Sequence, residues 1–190
     1  REELAEALAV DDAPTVIRFP RGSVGADIEA VRRCSDGVDV LREAAHKDVL
    51  IVAIGAFAQL GLEVATRLEQ QGIGATVVDP RWVVPVPTSI IDMARDHRLV
   101  ITLEDGVRVG GIGTRIRQDL RSAGVDTAVD ELGLPDEFLD HASRDEILAE
   151  AGLTAQDIAR DVVAQVLGSK IPVARPLPEE SSVADSLRAE

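Results

Sequence analysis

Two arginines three residues apart are the first candidates for chemistry. Arg18-Phe19-Pro20-Arg21-Gly22 sets two planar, permanently charged guanidinium groups around a proline and ahead of a glycine. Such groups match phosphate with two parallel donors. In a regular strand, residues 18 and 21 would face opposite sides. Pro20 breaks that alternation and leaves Arg21 at the mouth of a loop, where the ligand sites of parallel sheets gather. Taken alone, the pattern fits a salt-bridged surface arginine better than a ligand site.

A second stretch joins an acidic pair to a glycine turn. Leu99, Val100, Ile101 and Leu103 form an apolar run that ends in Glu104 and Asp105. Gly110, Gly111 and Gly113 then turn the backbone into a helix striped by Ile112, Ile116 and Leu120. Free N–H groups converge at such a turn, so it can hold an anion. The residues VGGIGT at 109–114 match neither the dinucleotide fingerprint nor a P-loop. The plainer reading is that the glycines permit close packing against another domain. A third stretch, Asp79-Pro80-Arg81-Trp82-Val83-Val84-Pro85, holds the single tryptophan. An apolar ring beside two prolines predicts a domain or subunit contact at Trp82 and Pro85, with Arg81 capping a carboxylate or a helix end.

The remaining chemistry is sparse. His46, His97 and His141 are scattered without metal-ligand spacing, and each reads as a surface or loop-end residue. There is no nucleophile elbow. Cys34 is the only cysteine, which excludes an internal disulfide and a cysteine-based zinc site. These residues predict no self-contained active site, no cofactor site and no metal site in the chain.

The formal net charge is -14, which argues against nucleic acid or an anionic membrane as a partner. No apolar run approaches the roughly 20 residues that span a bilayer. Cysteine usage suits a reducing, cytoplasmic compartment. A first residue other than Met and a start in mid-helix predict a fragment or cleavage product.

The elements that must position these residues follow from periodicity. Residues 1–10 read as the end of a helix with Leu4, Ala5, Leu8 and Ala9 on one face, and 15–19 as a strand. Residues 23–36 read as linker. From 37 onward, strands near 38–41, 48–55, 75–79, 99–103 and 126–129 alternate with helices at 57–71, 87–97 and 114–123. Two closing helices follow at 140–152 and 154–167, the second capped by Thr154. This alternation predicts a doubly wound α/β domain at 37–168 with a mainly parallel sheet of about five strands. Residues 169–190, rich in Pro, Ser and Glu, predict a disordered tail.

Taken together, RFPRG at 18–22, VAIG at 52–55, DPRWVVPV at 79–86, TLEDG at 102–106, GGIG at 110–113, LGLPDEFLDHAS at 132–143 and LAEAGL at 148–153 form an ordered set. The set resembles the C-terminal part of the 1-deoxy-D-xylulose-5-phosphate synthases, in the transketolase superfamily. The resemblance covers residues 1 to about 168, and the GLPDEF segment favours this family over its relatives. It implies a transketolase C-terminal-type domain at 37–168, with 1–22 as the end of a pyrimidine-binding domain. It implies a homodimeric thiamine-diphosphate and magnesium transferase that condenses pyruvate with glyceraldehyde 3-phosphate, releasing carbon dioxide, for isoprenoid and thiamine biosynthesis. Arg21 matches the arginine that holds the acceptor's phosphate. Glu104, Gly110, Gly111 and Gly113 match a loop concerned with interdomain packing. Arg18 inherits no role, and its loss is expected to act on stability if at all. The motifs for the diphosphate, the magnesium and the activating glutamate are absent, so the isolated chain is expected to be inactive and the remaining domains are its partners. The alternatives are the third domain of a transketolase or of a 2-oxo-acid dehydrogenase β subunit, or a regulatory module binding an anion at the glycine turn. The loop at 105–109 lacks the family's usual asparagine.

Overall fold

The computed structural model describes residues 1–20 and 25–168. Its centre is β3 (Val49–Ala53), five residues buried on both faces. Branched apolar side chains from Val49 to Val52, closed by the small Ala53, suit a strand covered above and below. β4 (Ala75–Asp79) and β5 (Leu99–Val107) flank β3, both parallel to it. β6 (Ala128–Leu134) runs parallel beside β5. On the other side, β2 (Asp39–Arg42) and β1 (Arg32–Arg33) add antiparallel strands, giving the order β1-β2-β4-β3-β5-β6.

Alternation along the strands fills two cores. Val49, Ile51, Ala53, Val77, Ile101 and Leu103 point to one face, where α2 (Ala58–Glu69) and α6 (Ala155–Val166) supply Val64, Leu68, Ile158 and Val162. Leu50, Val52, Val78 and Val100 point to the other, covered by α3 (Thr88–Asp96) and α4 (Ile112–Ser122) through Ile90, Ala94, Ile116 and Leu120. Thr154 caps α6 by accepting from the Asp157 N–H at 3.1 Å. The short α5 (Arg144–Glu150) opens with a reciprocal cap between Ser143 and Glu146. The doubly wound α/β architecture expected from the sequence is therefore present, with one strand more than predicted.

The sixth strand is β1, inside the stretch expected to be linker. Two arginines carry no hydrophobic period, so pattern alone misses it. Ile28 and Ala30 also pack against the core. Asp36 accepts from the Ser89 N–H and the Ser89 hydroxyl, both at 2.8 Å, and so caps α3 from a distance. Burial works against the charged form, but these hydrogen bonds hold the Asp36 carboxyl below its ordinary range. β2 is consequently an inner strand, not an edge. β6 begins later than expected and runs through Gly133, where a Cβ would stand 2.8 Å from the Gly106 carbonyl oxygen. The glycine serves that close approach rather than a turn.

Residues 15–19 have the composition of a strand but form none: they pair with no strand among the described residues, and Val16 and Phe19 are exposed. α1 (Glu2–Ala9) is present, but Leu4, Ala5, Leu8 and Ala9 of the expected face are all exposed, and its buried residue is Ala7, off that face. Residues 21–24 and 169–190, hence Arg21 and the expected tail, lie outside the described residues.

His97 also departs from expectation. It ends α3, as a loop-end residue would, yet it is buried. One ring nitrogen, Nδ1, lies 2.7 Å from the Met93 carbonyl oxygen, and Nε2 lies 3.1 Å from the Thr76 hydroxyl. The carbonyl requires a proton on Nδ1, which leaves Nε2 to accept from the hydroxyl in the neutral ring. Burial pushes the His97 pKa below its ordinary 6.5. Protonation then favours the unfolded chain. The stabilising contribution is whole above the unfolded value and is lost as pH falls below it toward the depressed folded value. Thermal midpoints taken from pH 8 to pH 5 should fall more steeply for the wild type than for His97→Gln; parallel curves would remove His97 from the acid response.

Candidate functional site

The connections fix where a site can form. From β3 the chain crosses through α2 to β4 on one side, and from β5 it crosses through α4 to β6 on the other. The carboxyl ends of β3 and β5 therefore bound the topological switch point, the usual ligand crevice of an open α/β sheet.

β5 delivers Glu104 to this crevice, and the side chain is buried. Its Oε2 accepts from the Ile112 N–H and its Oε1 from the Gly113 N–H, each at 2.9 Å. The carboxylate thus fills the first turn of α4, where the helix dipole favours negative charge. Gly111 and Gly113 are needed for this fit. A Cβ at 111 would overlap the Glu104 carboxylate, and one at 113 would overlap the Thr102 hydroxyl. Gly110 takes the left-handed turn, with φ of 73°. Next to Glu104, Asp105 pairs with Arg144 at 3.0 Å, and the Arg144 guanidinium stands 5.7 Å over the Phe57 ring.

The end of β4 builds the other wall. The half-buried Asp79 carboxyl accepts from the Arg81 N–H at 3.0 Å, and Arg81 holds a left-handed φ of 58°. Burial pushes Asp79 above the ordinary carboxylate range. The Arg81 side chain is largely buried and donates to Glu6 of α1 at 2.6 Å, while the Trp82 indole N–H donates to the other Glu6 oxygen at 2.8 Å. These two donors hold Glu6 below its ordinary pKa. Glu3 is raised instead, first by burial and then by the nearby Asp79. Arg33 of β1 adds an ion pair to Glu2 at 2.9 Å. α1 is therefore joined to the domain by its acidic face. Pro85 follows a cis peptide bond and is exposed beside Val84.

The structure thus places the sequence candidates in two groups: Glu104 with Gly110, Gly111 and Gly113 at the head of α4, and Trp82 with Pro85 beyond β4. Trp82 is half-buried against Glu6 rather than set in the domain's own core. Two features escaped the sequence reading. Arg81 does cap a carboxylate, but its partner Glu6 lies far away in sequence and had no signal. Glu104 is the anion of the glycine turn, eight residues before the helix it caps. Among the described residues, no group of three or more His, Cys, Asp or Glu side chains is placed to hold a metal ion, and no helix is long and apolar enough to cross a membrane.

The doubly wound sheet agrees with comparison to known families: residues 37–158 match the model described as transketolase, C-terminal domain, and the chain belongs to that family. The 1-deoxy-D-xylulose-5-phosphate synthase of Leifsonia xyli subsp. xyli is 74% identical over 180 residues, covering 95% of this chain. The enzyme of the same name from Clavibacter sepedonicus is 71% identical over 181 residues, again 95% of the chain. The chain spans only 28% of the length of each relative. A solved structure described as a split-gene transketolase in an inactive beta4 tetramer superposes with a TM-score of 0.64 at 30% identity, over 75% of this chain and 46% of that one.

Proposed function

We propose that the chain is the C-terminal part of a 1-deoxy-D-xylulose-5-phosphate synthase, a cytoplasmic thiamine-diphosphate-dependent transferase that joins pyruvate to glyceraldehyde 3-phosphate with loss of carbon dioxide. The observation that carries this reading is identity of 74% across 95% of the chain to a protein of that name. The cofactor would supply the carbanion chemistry. The described residues do not fit it: they offer no metal-binding cluster, and the helix start suited to a phosphate is filled by Glu104. We therefore assign thiamine diphosphate and magnesium to the remainder of the protein and no bond-making step to this chain.

Its own work is packing and acceptor binding. Val84, Val107, Val109, Phe138 and Leu139 follow or end the parallel strands and are exposed, a surface suited to the remaining domains or to a second subunit. Trp82, Pro85 and the glycine turn belong to that surface in this reading, and the protein acts as a homodimer. Arg21 takes the acceptor's phosphate. Filling of the helix start by Glu104 weighs against the alternative of an effector-anion module.

The test uses the longer protein containing this segment. It should release carbon dioxide from pyruvate when glyceraldehyde 3-phosphate, thiamine diphosphate and magnesium are present, and the purified chain alone should not. Use of a ketose phosphate in place of pyruvate would make the protein a transketolase; turnover by the chain alone would put the active site inside it.

A further inference from the structure

We propose that the loop at residues 135–143 is the plug by which this domain docks onto the rest of its own polypeptide, with Phe138 and Leu139 entering an apolar pocket that has basic side chains at its rim. This deepens the reading above of the chain as the C-terminal part of a longer synthase. The loop is held at both ends. Its start follows Leu134, whose carbonyl accepts from the Arg108 N–H at 2.9 Å. Its end is Ser143, which forms the reciprocal cap with Glu146. The next residue, Arg144, pairs with Asp105 at 3.0 Å and stands 5.7 Å over the Phe57 ring. Asp105 and Arg108 both lie where β5 leaves the sheet, so the two ends are pinned side by side, as in a compact Ω-loop.

The apolar side chains of the loop find no cover within this chain. From Pro135 to Glu150 no residue is buried. Phe138 is fully exposed and Leu139 is exposed beside it. Val107, also exposed, pairs in register with Leu134 and so lies next to the start of the loop. Single apolar residues on a surface are ordinary, but a bare phenylalanine on a loop pinned at both ends has the form of a binding anchor. Pinning also lowers the ordering cost of docking. Charge and length select the occupant. Asp136, Glu137 and Asp140 flank Phe138 and Leu139, which calls for a basic rim. A second copy of this chain would bring another net charge of -14 against that acidic loop. The two relatives carry the matching segment as 28% of their length, which leaves most of each polypeptide to supply a cover.

The experiment is hydroxyl-radical footprinting of the longer protein, read at phenylalanine rings so that the intrinsic chemistry is equal. Buried Phe57 is the covered standard, and Phe138 in the urea-unfolded protein is the open one. Native Phe138 should be oxidised about tenfold more slowly than unfolded Phe138, at a rate near that of Phe57, whatever the protein concentration. Phe138→Asp should strip the cover and raise oxidation of Leu139 about fivefold with Phe57 still protected, whereas Phe138→Leu should keep it low. The same samples are assayed for carbon dioxide release from pyruvate and glyceraldehyde 3-phosphate. Native Phe138 oxidised at the open rate in a sample that releases carbon dioxide would overturn the proposal and leave the synthase reading standing. Protection that disappears on dilution would give the cover to a second copy and overturn the proposal too. A protected Phe138 in a sample without that activity would support the interface and remove the synthase reading.

Discussion

Glu104→Ala should lower the unfolding free energy of the domain by about 3–4 kcal/mol. The side chain accepts two charge-assisted hydrogen bonds from Ile112 and Gly113 and is buried. Each such bond is worth roughly 1.5–3 kcal/mol, and its loss leaves an N–H without a partner. Alanine also leaves a void against the glycines whose bareness makes room for the carboxylate. A total stability of about 5–15 kcal/mol is ordinary for a domain, so this single change removes a large share. Glu104→Gln keeps the shape and one good acceptor, but its amide nitrogen faces an N–H, so it should recover about half of the loss. Urea midpoints for the three proteins decide the matter. A loss below about 1 kcal/mol for alanine would mean that water replaces the carboxylate at little cost.

The second large effect concerns substrate. On the proposed acceptor-binding role of Arg21, Arg21→Ala in the full-length protein should weaken apparent affinity for glyceraldehyde 3-phosphate by roughly one to two orders of magnitude, the equivalent of about 1.5–3 kcal/mol for a charge-assisted contact. Pyruvate carries no phosphate and should change much less. Unphosphorylated glyceraldehyde should be nearly indifferent. Kinetics with the three substrates separate the cases: equal losses with phosphorylated and unphosphorylated acceptors would make Arg21 a residue of the fold.

Sequence pattern found what burial dictates. β3 and the first half of β5 are runs dominated by branched apolar residues, and β4 is buried from Ala75 to Val78; such runs have few other uses. Helices with a stripe, such as α2 and α4, were equally legible, as was Thr154 at the start of α6. The capping box from Ser143 to Glu146 was there to be read and would have set the start of α5. β1 was not legible, because its two exposed arginines are a strand only by virtue of their neighbour. Residues 15–19 show the reverse: the right composition without a neighbour. The site divides in the same way. Glycines announce that something comes close but not what comes. That the visitor is Glu104, and that Arg81 reaches Glu6, are facts of tertiary placement.

The self-filled start of α4 also bears on how this domain meets the small molecules of a cell. A carboxylate tethered eight residues away is offered to those two N–H groups at an effective concentration far above that of dissolved phosphate or nucleotide. A dissolved anion would have to displace the built-in carboxylate to reach that turn. The helix start is closed by the chain's own charge, so in this domain that positive end serves cohesion and not capture.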